Sequence, residues 1–245
     1  MTDVPRTRTD GAAVVEPTWG LGDAAAGLLA AFVLGQVIAA VIVAAAGYAG
    51  AKQSALPLWL IAVTEIPLWI GFVGAPLYAA RVKGNGVVAD FGLRIRALDV
   101  PLGVAVGLAA QFVLAPLVSW PWVVALRRHM SDLNGVAKSL TDKAHHSPGG
   151  VVLLVLVVAI AAPICEELFY RGLVLRALQR RFGAGWAIIG SGLLFGATHF
   201  ELLQFPALTA FGMVLGLLAV RTGRLGPSIC AHMAFNGVVV FVLVR

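Results

Sequence analysis

Charged residues are scarce in this chain of 245 residues, since only 12% of them are Asp, Glu, Lys or Arg. Soluble globular domains contain about 25%. Hydrophobic residues make up 60% of the sequence, and apolar runs long enough to cross a lipid bilayer recur along it. The composition therefore excludes an ordinary soluble protein and predicts an all-α, polytopic bundle of membrane-spanning helices.

Cysteine is rare as well, and basic stripes are missing. Cys165 and Cys230 both fall inside apolar segments, which argues against a disulfide framework and favours simple packing of the two thiols. The net charge of +6 comes from short loops between apolar runs, and no basic stretch is interleaved with aromatic residues. We therefore expect the lipid bilayer, and no nucleic acid, as a partner.

Seven apolar segments are predicted to span the membrane. They are Ala24–Ala49, Leu56–Ala80, Pro101–Leu126, a helix from about Gly149 that continues towards Arg181, Gly185–Glu201, Phe205–Val220 and Gly226–Val244. The polar stretch from Arg127 to Ser147 is a candidate surface helix. Glycine pairs four residues apart, which allow helices to approach closely, occur at Gly103/Gly107, Gly192/Gly196 and Gly212/Gly216.

The chain divides into three predicted parts: a disordered tail (1–22), a region with three spans (23–148) and a catalytic core (149–245). Of the 18 Lys and Arg residues, 11 fall on the side of the N-terminus and six on the other, and Arg171 lies inside a span. This asymmetry predicts a cytoplasmic N-terminus. Abundant Ala, Gly and Val, with more Arg than Lys, favour an integral protein of a bacterial cell membrane.

A pair of adjacent acids is the most informative feature of the core. Glu166 and Glu167 follow an unbroken apolar run, where ionised groups cost at least about 2–3 kcal/mol each. Glu167 and Arg171 stand one helical turn apart, which suits an ion pair. Glu166 lies about 100° further round the helix, so it is available for another partner.

Three more polar residues fall in the later spans: His199, His232 and Asn236. Together with the acids they suit the activation of water for attack on a carbonyl, because a buried carboxylate can act as a general base and His or Asn can donate to an oxyanion. Glu166, His199 and His232 also match the two-His, one-carboxylate composition of a catalytic zinc site, although no His-Glu-x-x-His segment occurs. A serine nucleophile is disfavoured, because Ser191 lacks a Gly-x-Ser-x-Gly frame.

The order of these residues resembles a known family. Glu166-Glu-Leu-Phe-Tyr-Arg171-Gly172, Phe195-Gly-Ala-Thr-His199 and His232-Met-Ala-Phe-Asn236 are similar to the three motifs of the CAAX-protease and bacteriocin-processing (CPBP) family of intramembrane endopeptidases. The segment Asp90-Phe-Gly-Leu-Arg94 also looks like a short loop of that family. The resemblance covers the fourth to seventh predicted spans.

The resemblance implies an endopeptidase that acts on a membrane-anchored protein or peptide, with or without a lipid group. It also implies roles for six side chains: Glu166 as the general base, His199 as its assistant, Glu167 and Arg171 as orienting residues, and His232 with Asn236 as the oxyanion pocket. The family is labelled a metalloprotease, so a Zn²⁺ cofactor held by Glu166, His199 and His232 stays open, as does a reaction without metal.

Depth along the helices constrains this site. If the fourth helix ended at Arg171, Glu166 would lie only about 7 Å deep, whereas His199 would lie about 20 Å deep. Extending the helix to Arg180 places Glu166 about 21 Å deep. We therefore expect a long fourth helix and a cavity that opens to the cytoplasmic side.

Two other functions remain open. A non-catalytic scaffold could use the Glu167–Arg171 pair and histidine hydrogen bonds to hold its helices together, and a small proton-coupled transporter could relay protons through the acids and histidines. The absence of a visible inverted repeat argues against the transporter. Glu65, in the second span close to Pro67, could line the same cavity or sit at a kink, and it is left outside the predicted site.

Overall fold

The computed structural model describes residues 16–147 and 149–244, which contain helices and turns but no strand. The predicted all-α class is therefore confirmed. The helices are α1 (Leu21–Ala45), α2 (Leu58–Val82), α3 (Val87–Phe91), α4 (Asp99–Ala125), α5 (Gly135–His145), α6 (150–182), α7 (184–197), α8 (Phe205–Thr222) and α9 (Gly226–Val244).

Five helical segments of the described chain are long and apolar enough to cross a membrane, and α9 adds a shorter apolar helix. The fourth segment, Gly150–Ala197, has 48 residues, about 72 Å if it were straight, far more than the roughly 30 Å hydrocarbon core. Gly183 breaks it, with φ 81° and ψ 170°, so that α6 and α7 are separate helices. The seven predicted spans correspond to α1, α2, α4, α6, α7, α8 and α9.

Small residues allow these helices to touch through their backbones, as the glycine spacing predicts. A Cβ atom at Gly107 in α4 would lie 2.3 Å from the carbonyl oxygen of Ala231 in α9. A Cβ atom at Gly196 in α7 would lie 2.3 Å from Oγ1 of Thr209 in α8. The helices that carry the three motifs are therefore fixed against their neighbours at close range.

One end of the bundle, here called the N-terminal face, is joined by contacts between distant segments. The amide of Thr18 donates to the carbonyl of Lys83 at 2.7 Å, and the amide of Leu225 donates to the carbonyl of Gly92 at 2.9 Å. The segments of this face are 16–20, 81–98, 176–184 and 221–225.

The chain is ordered here earlier than predicted. Residues 1–15 of the predicted tail lie outside the described residues, but Trp19 is only 2% exposed and its indole donates to Asp90 at 3.0 Å. Arg180 donates to the carbonyl of Trp19 at 2.6 Å. The segment 18–20 is thus held by the ends of α2 and α6 and by α3, which its polar composition did not reveal.

The other end of the bundle, here called the opposite face, is covered by α5, which confirms the predicted surface helix. Lys143 of α5 donates to the carbonyl of Leu56 at 2.7 Å, and Ala144 is 1% exposed against Leu58 and Leu154. The segments of this face are 46–57, 126–147 and 198–204.

Candidate active site

A cavity of about 320 Å³ lies inside the bundle. Its walls come from α2, α5, α6, α8 and α9 and from the turn after α7, and most of them are apolar. The polar or charged residues that face it include Glu65, Glu166, His199, Gln204, His232 and Asn236. Four of the six predicted site residues therefore line one chamber, while Glu167 and Arg171 lie behind its wall.

Glu167 and Arg171 form a fully buried ion pair, as their spacing predicts. Both side chains have 0% exposure, and Nη1 of Arg171 donates to Oε1 of Glu167 at 2.8 Å. Nη2 of Arg171 donates to the carbonyl of Gly212 in α8 at 3.0 Å, and its guanidinium lies 4.4 Å from the ring centroid of Phe195. The arginine thus connects α6 with α7 and α8, and its positive charge is paired with Glu167 outside the cavity.

His232 links this pair to the cavity. Its Nδ1 lies 3.0 Å from Oε1 of Glu167, and because a carboxylate only accepts hydrogen bonds, Nδ1 carries the proton. The other nitrogen, Nε2, lies 3.8 Å from Oε2 of Glu166. Glu167 therefore fixes the tautomer and orientation of a ring whose remaining nitrogen points at Glu166.

Glu166 stands in a different environment from its neighbour. Its side chain is 17% exposed, to the cavity, whereas that of Glu167 has no exposure. The two acids lie between π-helical turns at Val155–Ala161 and Leu168–Val174, a local widening of the helix that is frequent at functional sites. Adjacent positions on one helix thus place one acid in the packed core and the other in the chamber.

His199 is oriented by its own helix. Its Nδ1 lies 2.7 Å from the carbonyl oxygen of Phe195, which can only accept, so Nε2 keeps its lone pair for the cavity. The neighbouring Thr198 donates to the carbonyl of Leu194 at 2.9 Å and accepts from the hydroxyl of Tyr170 at 2.6 Å. The end of α7 is therefore fixed to α6 next to the histidine.

Asn236 is partly used for structure. Its Nδ2 donates to the carbonyl of Val158 at 2.9 Å. In a π-helical register the carbonyl of Val158 would face the nitrogen of Pro163, which has no hydrogen to donate. The side-chain amide of Asn236 therefore provides the hydrogen-bond donor that the helix backbone lacks here. The second hydrogen of the Asn236 amide remains for a group in the cavity.

Phe195 is a site residue that sequence reasoning left without a role. Its ring centroid lies 4.7 Å from that of His199 and 5.5 Å from that of His232, and Arg171 lies on it as well. One aromatic ring thus supports both histidines and the buried cation. Its place four residues before His199 in the second motif was the available signal.

Glu65 is, after Phe195, the second residue at the site that was not among the six predicted site residues. It belongs to a stripe on α2 whose members face the cavity at helical spacing: Leu58, Ile61, Ala62, Glu65 and Trp69. The spacing i, i+3, i+4, i+7 is visible in the sequence, but which neighbours this stripe would meet is not. The structure places the acid in the same chamber as Glu166.

The cavity lies towards the opposite face, whereas the prediction places its opening on the side of the N-terminus. Its lining includes Leu58, Leu140 and Leu153 near that face, and none of its described residues comes from the segments of the N-terminal face. The long helix is confirmed, since α6 runs to residue 182. However, its residues between the acids and the N-terminal face are closed by packing: Leu168, Phe169, Tyr170, Leu173, Val174 and Leu175 are at most 5% exposed.

The donor geometry does not fit the candidate zinc site. Across residues 16–147 and 149–244, no three His, Cys, Asp or Glu side chains come together as a group that could hold a metal ion. Hydrogen bonds to Glu167 and to a carbonyl engage only Nδ1 of His232 and His199 and leave Nε2 of each ring available, so the misfit lies in the spacing of the three side chains. Glu166, His199 and His232 share a cavity without forming a ligand set.

Comparisons with known proteins agree with the motifs. Residues 148–238 match the family model described as "Type II CAAX prenyl endopeptidase Rce1-like". The chain is 33% identical over 92 residues to a Bacillus subtilis (strain 168) protein named "Putative membrane peptidase YdiL", and 30% identical over 137 residues to "Uncharacterized protein YpbD" of the same organism. These matches cover 38% and 54% of this chain.

The matched segments span 38% and 64% of the lengths of these two relatives. No solved structure matches the chain significantly. The family match begins just before α6 and ends within α9, so it contains the three motifs and, except for Glu65, the polar residues named above that face the cavity. The resemblance drawn from the motifs is thus confirmed at the level of similarity: residues 148–238, which hold all three motifs, match the model of a type II CAAX prenyl endopeptidase family.

Proposed function

We propose that this protein is an intramembrane endopeptidase that hydrolyses a peptide bond of a membrane-associated protein or peptide, with Glu166 as the general base. The observation that carries the proposal is the contrast within one acidic pair. Glu167 is locked by Arg171 and His232, while Glu166 faces a largely apolar chamber with two histidines around it. A scaffold would need only the locked acid.

In the proposed reaction, Glu166 takes a proton from a water molecule in the cavity while the water oxygen attacks the carbonyl carbon of the substrate. Nε2 of His199, which keeps its lone pair, accepts a hydrogen bond from the same water and holds it in place. The carbonyl C–O double bond opens, and a tetrahedral oxyanion forms. The second amide hydrogen of Asn236 is available to donate to it.

His232 assists as a relay. Its Nδ1–H donates to Glu167, a carboxylate that stabilises the ring if Nε2 becomes protonated. Nε2 is 3.8 Å from Oε2 of Glu166, so the proton taken from water can be shared between them while the tetrahedral intermediate lasts. When the C–N bond breaks, this proton passes to the leaving amine, and the hydroxyl of the former water stays on the new carboxyl group.

Glu167 and Arg171 act as positioning residues in this scheme. They touch neither the cavity nor the reacting atoms, but they hold His232 and connect α6 to α8 through the Gly212 carbonyl. Apolar walls around a small polar centre suit a substrate whose cleaved segment lies in the bilayer, where the surrounding side chains exclude bulk water.

The location of the site follows from the distribution of basic residues. The segments of the N-terminal face carry nine described Lys and Arg residues, and those of the opposite face carry five. Because cytoplasmic loops hold the excess of positive charge, we place the N-terminal face in the cytoplasm. The cavity, which lies towards the opposite face, then receives its substrate from the outer side of the membrane or from the bilayer.

The test is cleavage by purified protein in liposomes, using a panel of membrane-anchored and lipidated peptides whose products are identified by mass spectrometry. The Glu166→Gln variant should lose about 10²–10⁴-fold in turnover while it elutes as a folded protein. Glu16→Gln, which changes an exposed acid outside the cavity, is the matched control and should cleave normally. Cleavage that is unchanged in Glu166→Gln would refute the assignment of the base, and a wild type without activity on any peptide would favour the scaffold.

A further inference from the structure

Glu65 is an acid in the cavity that the proposed reaction does not use. It reaches the chamber from α2, on the stripe that also contains Leu58 and Ile61, outside the helices that carry the three motifs. It makes no hydrogen bond or ion pair with any described residue. Its position is therefore not explained by a structural contact within the described part of the protein.

The charges around the chamber are one-sided. Glu65 and Glu166 both line it, and its described lining includes no Lys or Arg. The nearest buried cation, Arg171, has no exposure and is paired with Glu167. A substrate segment inside the chamber thus meets Glu166, which faces His232 at 3.8 Å, and Glu65, which has no hydrogen-bond or ion-pair partner among the described residues.

This arrangement discriminates between substrates by charge. Between apolar walls the effective dielectric is lower than in water, so charges only a few ångströms apart interact strongly. A free C-terminal carboxylate or an Asp or Glu side chain would be repelled and would lose its hydration. A cationic nitrogen group would instead pair with a carboxylate that lacks a partner.

We propose that Glu65 is a specificity-determining residue that admits peptide segments with a cationic nitrogen group near the cleaved bond and rejects segments with a carboxylate there. The inference rests on the proposed peptidase function and narrows its substrates. It predicts cleavage next to a Lys or Arg side chain or a free α-amino group, and discrimination against a short C-terminal fragment that ends in a free carboxylate.

The experiment separates binding from cleavage. Four fluorescent peptides share one apolar sequence and carry Lys, norleucine or Glu at one position, or Lys acetylated at Nζ. Their binding is measured by anisotropy with Glu166→Gln protein, in which Glu65 is the remaining acid of the cavity. We expect the Lys peptide to bind at least about tenfold more tightly than the Glu peptide, with norleucine and acetyl-lysine between them.

The matched variants are Glu65→Gln and Glu16→Gln, each added to Glu166→Gln. The first should reduce the Lys-to-Glu ratio to about one, because the amide keeps the shape of the side chain without its charge, and the second should leave the ratio unchanged. Companion peptides with a free α-amino group, or with a C-terminal carboxylate in place of the amide, show which cationic group is preferred. Equal binding of the Lys and Glu peptides, no detectable binding of the Lys peptide, or a ratio that survives Glu65→Gln would overturn the proposal.

Cleavage assays with the wild type separate the proposed charge selectivity from the proposed peptidase function. If the Lys peptide binds selectively through Glu65 but no peptide is cleaved, the charge selectivity stands and the peptidase function fails. If Lys and Glu peptides are cleaved at equal rates, and Glu65→Gln changes neither rate, the peptidase function stands and the selectivity fails.

Discussion

The two halves of the bundle treat polar groups in opposite ways. Towards the N-terminal face, buried charges have partners: Asp99 is 1% exposed and pairs with Arg224, and Glu167 pairs with Arg171. Towards the opposite face, the chamber exposes two acids that no arginine or lysine pairs with: Glu166, which faces His232 at 3.8 Å, and Glu65. The boundary falls between two adjacent residues, because a rotation of about 100° per residue on a helix sends neighbouring side chains to different surroundings.

This difference separates the polar groups that stabilise the fold from those that are available to react with a substrate. A buried ion pair adds little stability compared with an apolar pair of the same volume, but removing one partner leaves an uncompensated charge. Substitutions of the paired, buried charges should therefore act mainly on stability. Substitutions in the chamber should act mainly on turnover.

The largest expected effect comes from a substitution in the buried Glu167–Arg171 ion pair. Arg171→Leu leaves Glu167 buried without its cation and removes the donor to the Gly212 carbonyl, so we expect a loss of about 3–5 kcal/mol in the free energy of unfolding. The measurement is thermal unfolding in detergent together with the yield of monodisperse protein. Arg221→Leu, an exposed arginine at the end of α8, should behave like the wild type. Equal unfolding of the two variants would contradict the structural role of Arg171.

A smaller effect is expected where α4 meets α9. A Cβ atom at position 107 would lie 2.3 Å from a backbone oxygen of α9, so Gly107→Ala should cost about 1–3 kcal/mol through overpacking. It should also lower turnover, because α9 carries His232 and Asn236. Gly185→Ala, where a Cβ atom meets nothing within 4 Å, should be neutral or stabilising. A Gly107→Ala protein as stable as the wild type would show that the helices are further apart.

The smallest effect concerns the contact that fixes the end of α7. Tyr170→Phe removes its hydrogen bond to Thr198 and should cost about 1 kcal/mol, with a decrease of a few-fold in turnover because His199 follows directly. Thr198→Val should do the same. The double variant should be no worse than the more damaging single variant, and a double-mutant cycle measures this coupling. Additive losses would mean that the hydroxyl groups act independently.

Local rules predicted much of the fold and part of the site. The i, i+4 spacing predicted the Glu167–Arg171 pair, and glycine spacing predicted the close helix contacts, because both depend on one helix or on backbone size. The role of Trp19 and the placement of Glu65 depend on segments far away in sequence, for which composition holds no signal.

The direction of the cavity could not be predicted from depth alone. Counting residues from Arg180 placed Glu166 deep in the membrane, but it did not reveal that the run from Leu168 to Leu175 packs shut. An apolar sequence looks the same whether it lines a chamber or fills a core. The packing of the neighbouring helices decides between the two. Here that packing fills the space between the acids and the N-terminal face, which is the side where counting residues had placed the opening.

The most direct test compares Glu166→Gln with Glu167→Gln in one preparation, with melting temperature and turnover measured for both. The account predicts that Glu166→Gln keeps the melting temperature of the wild type and loses turnover. Glu167→Gln, which deprives Arg171 and His232 of their carboxylate, should unfold at a clearly lower temperature. Two variants with the same melting temperature and the same residual turnover would contradict the division of labour between these neighbouring acids.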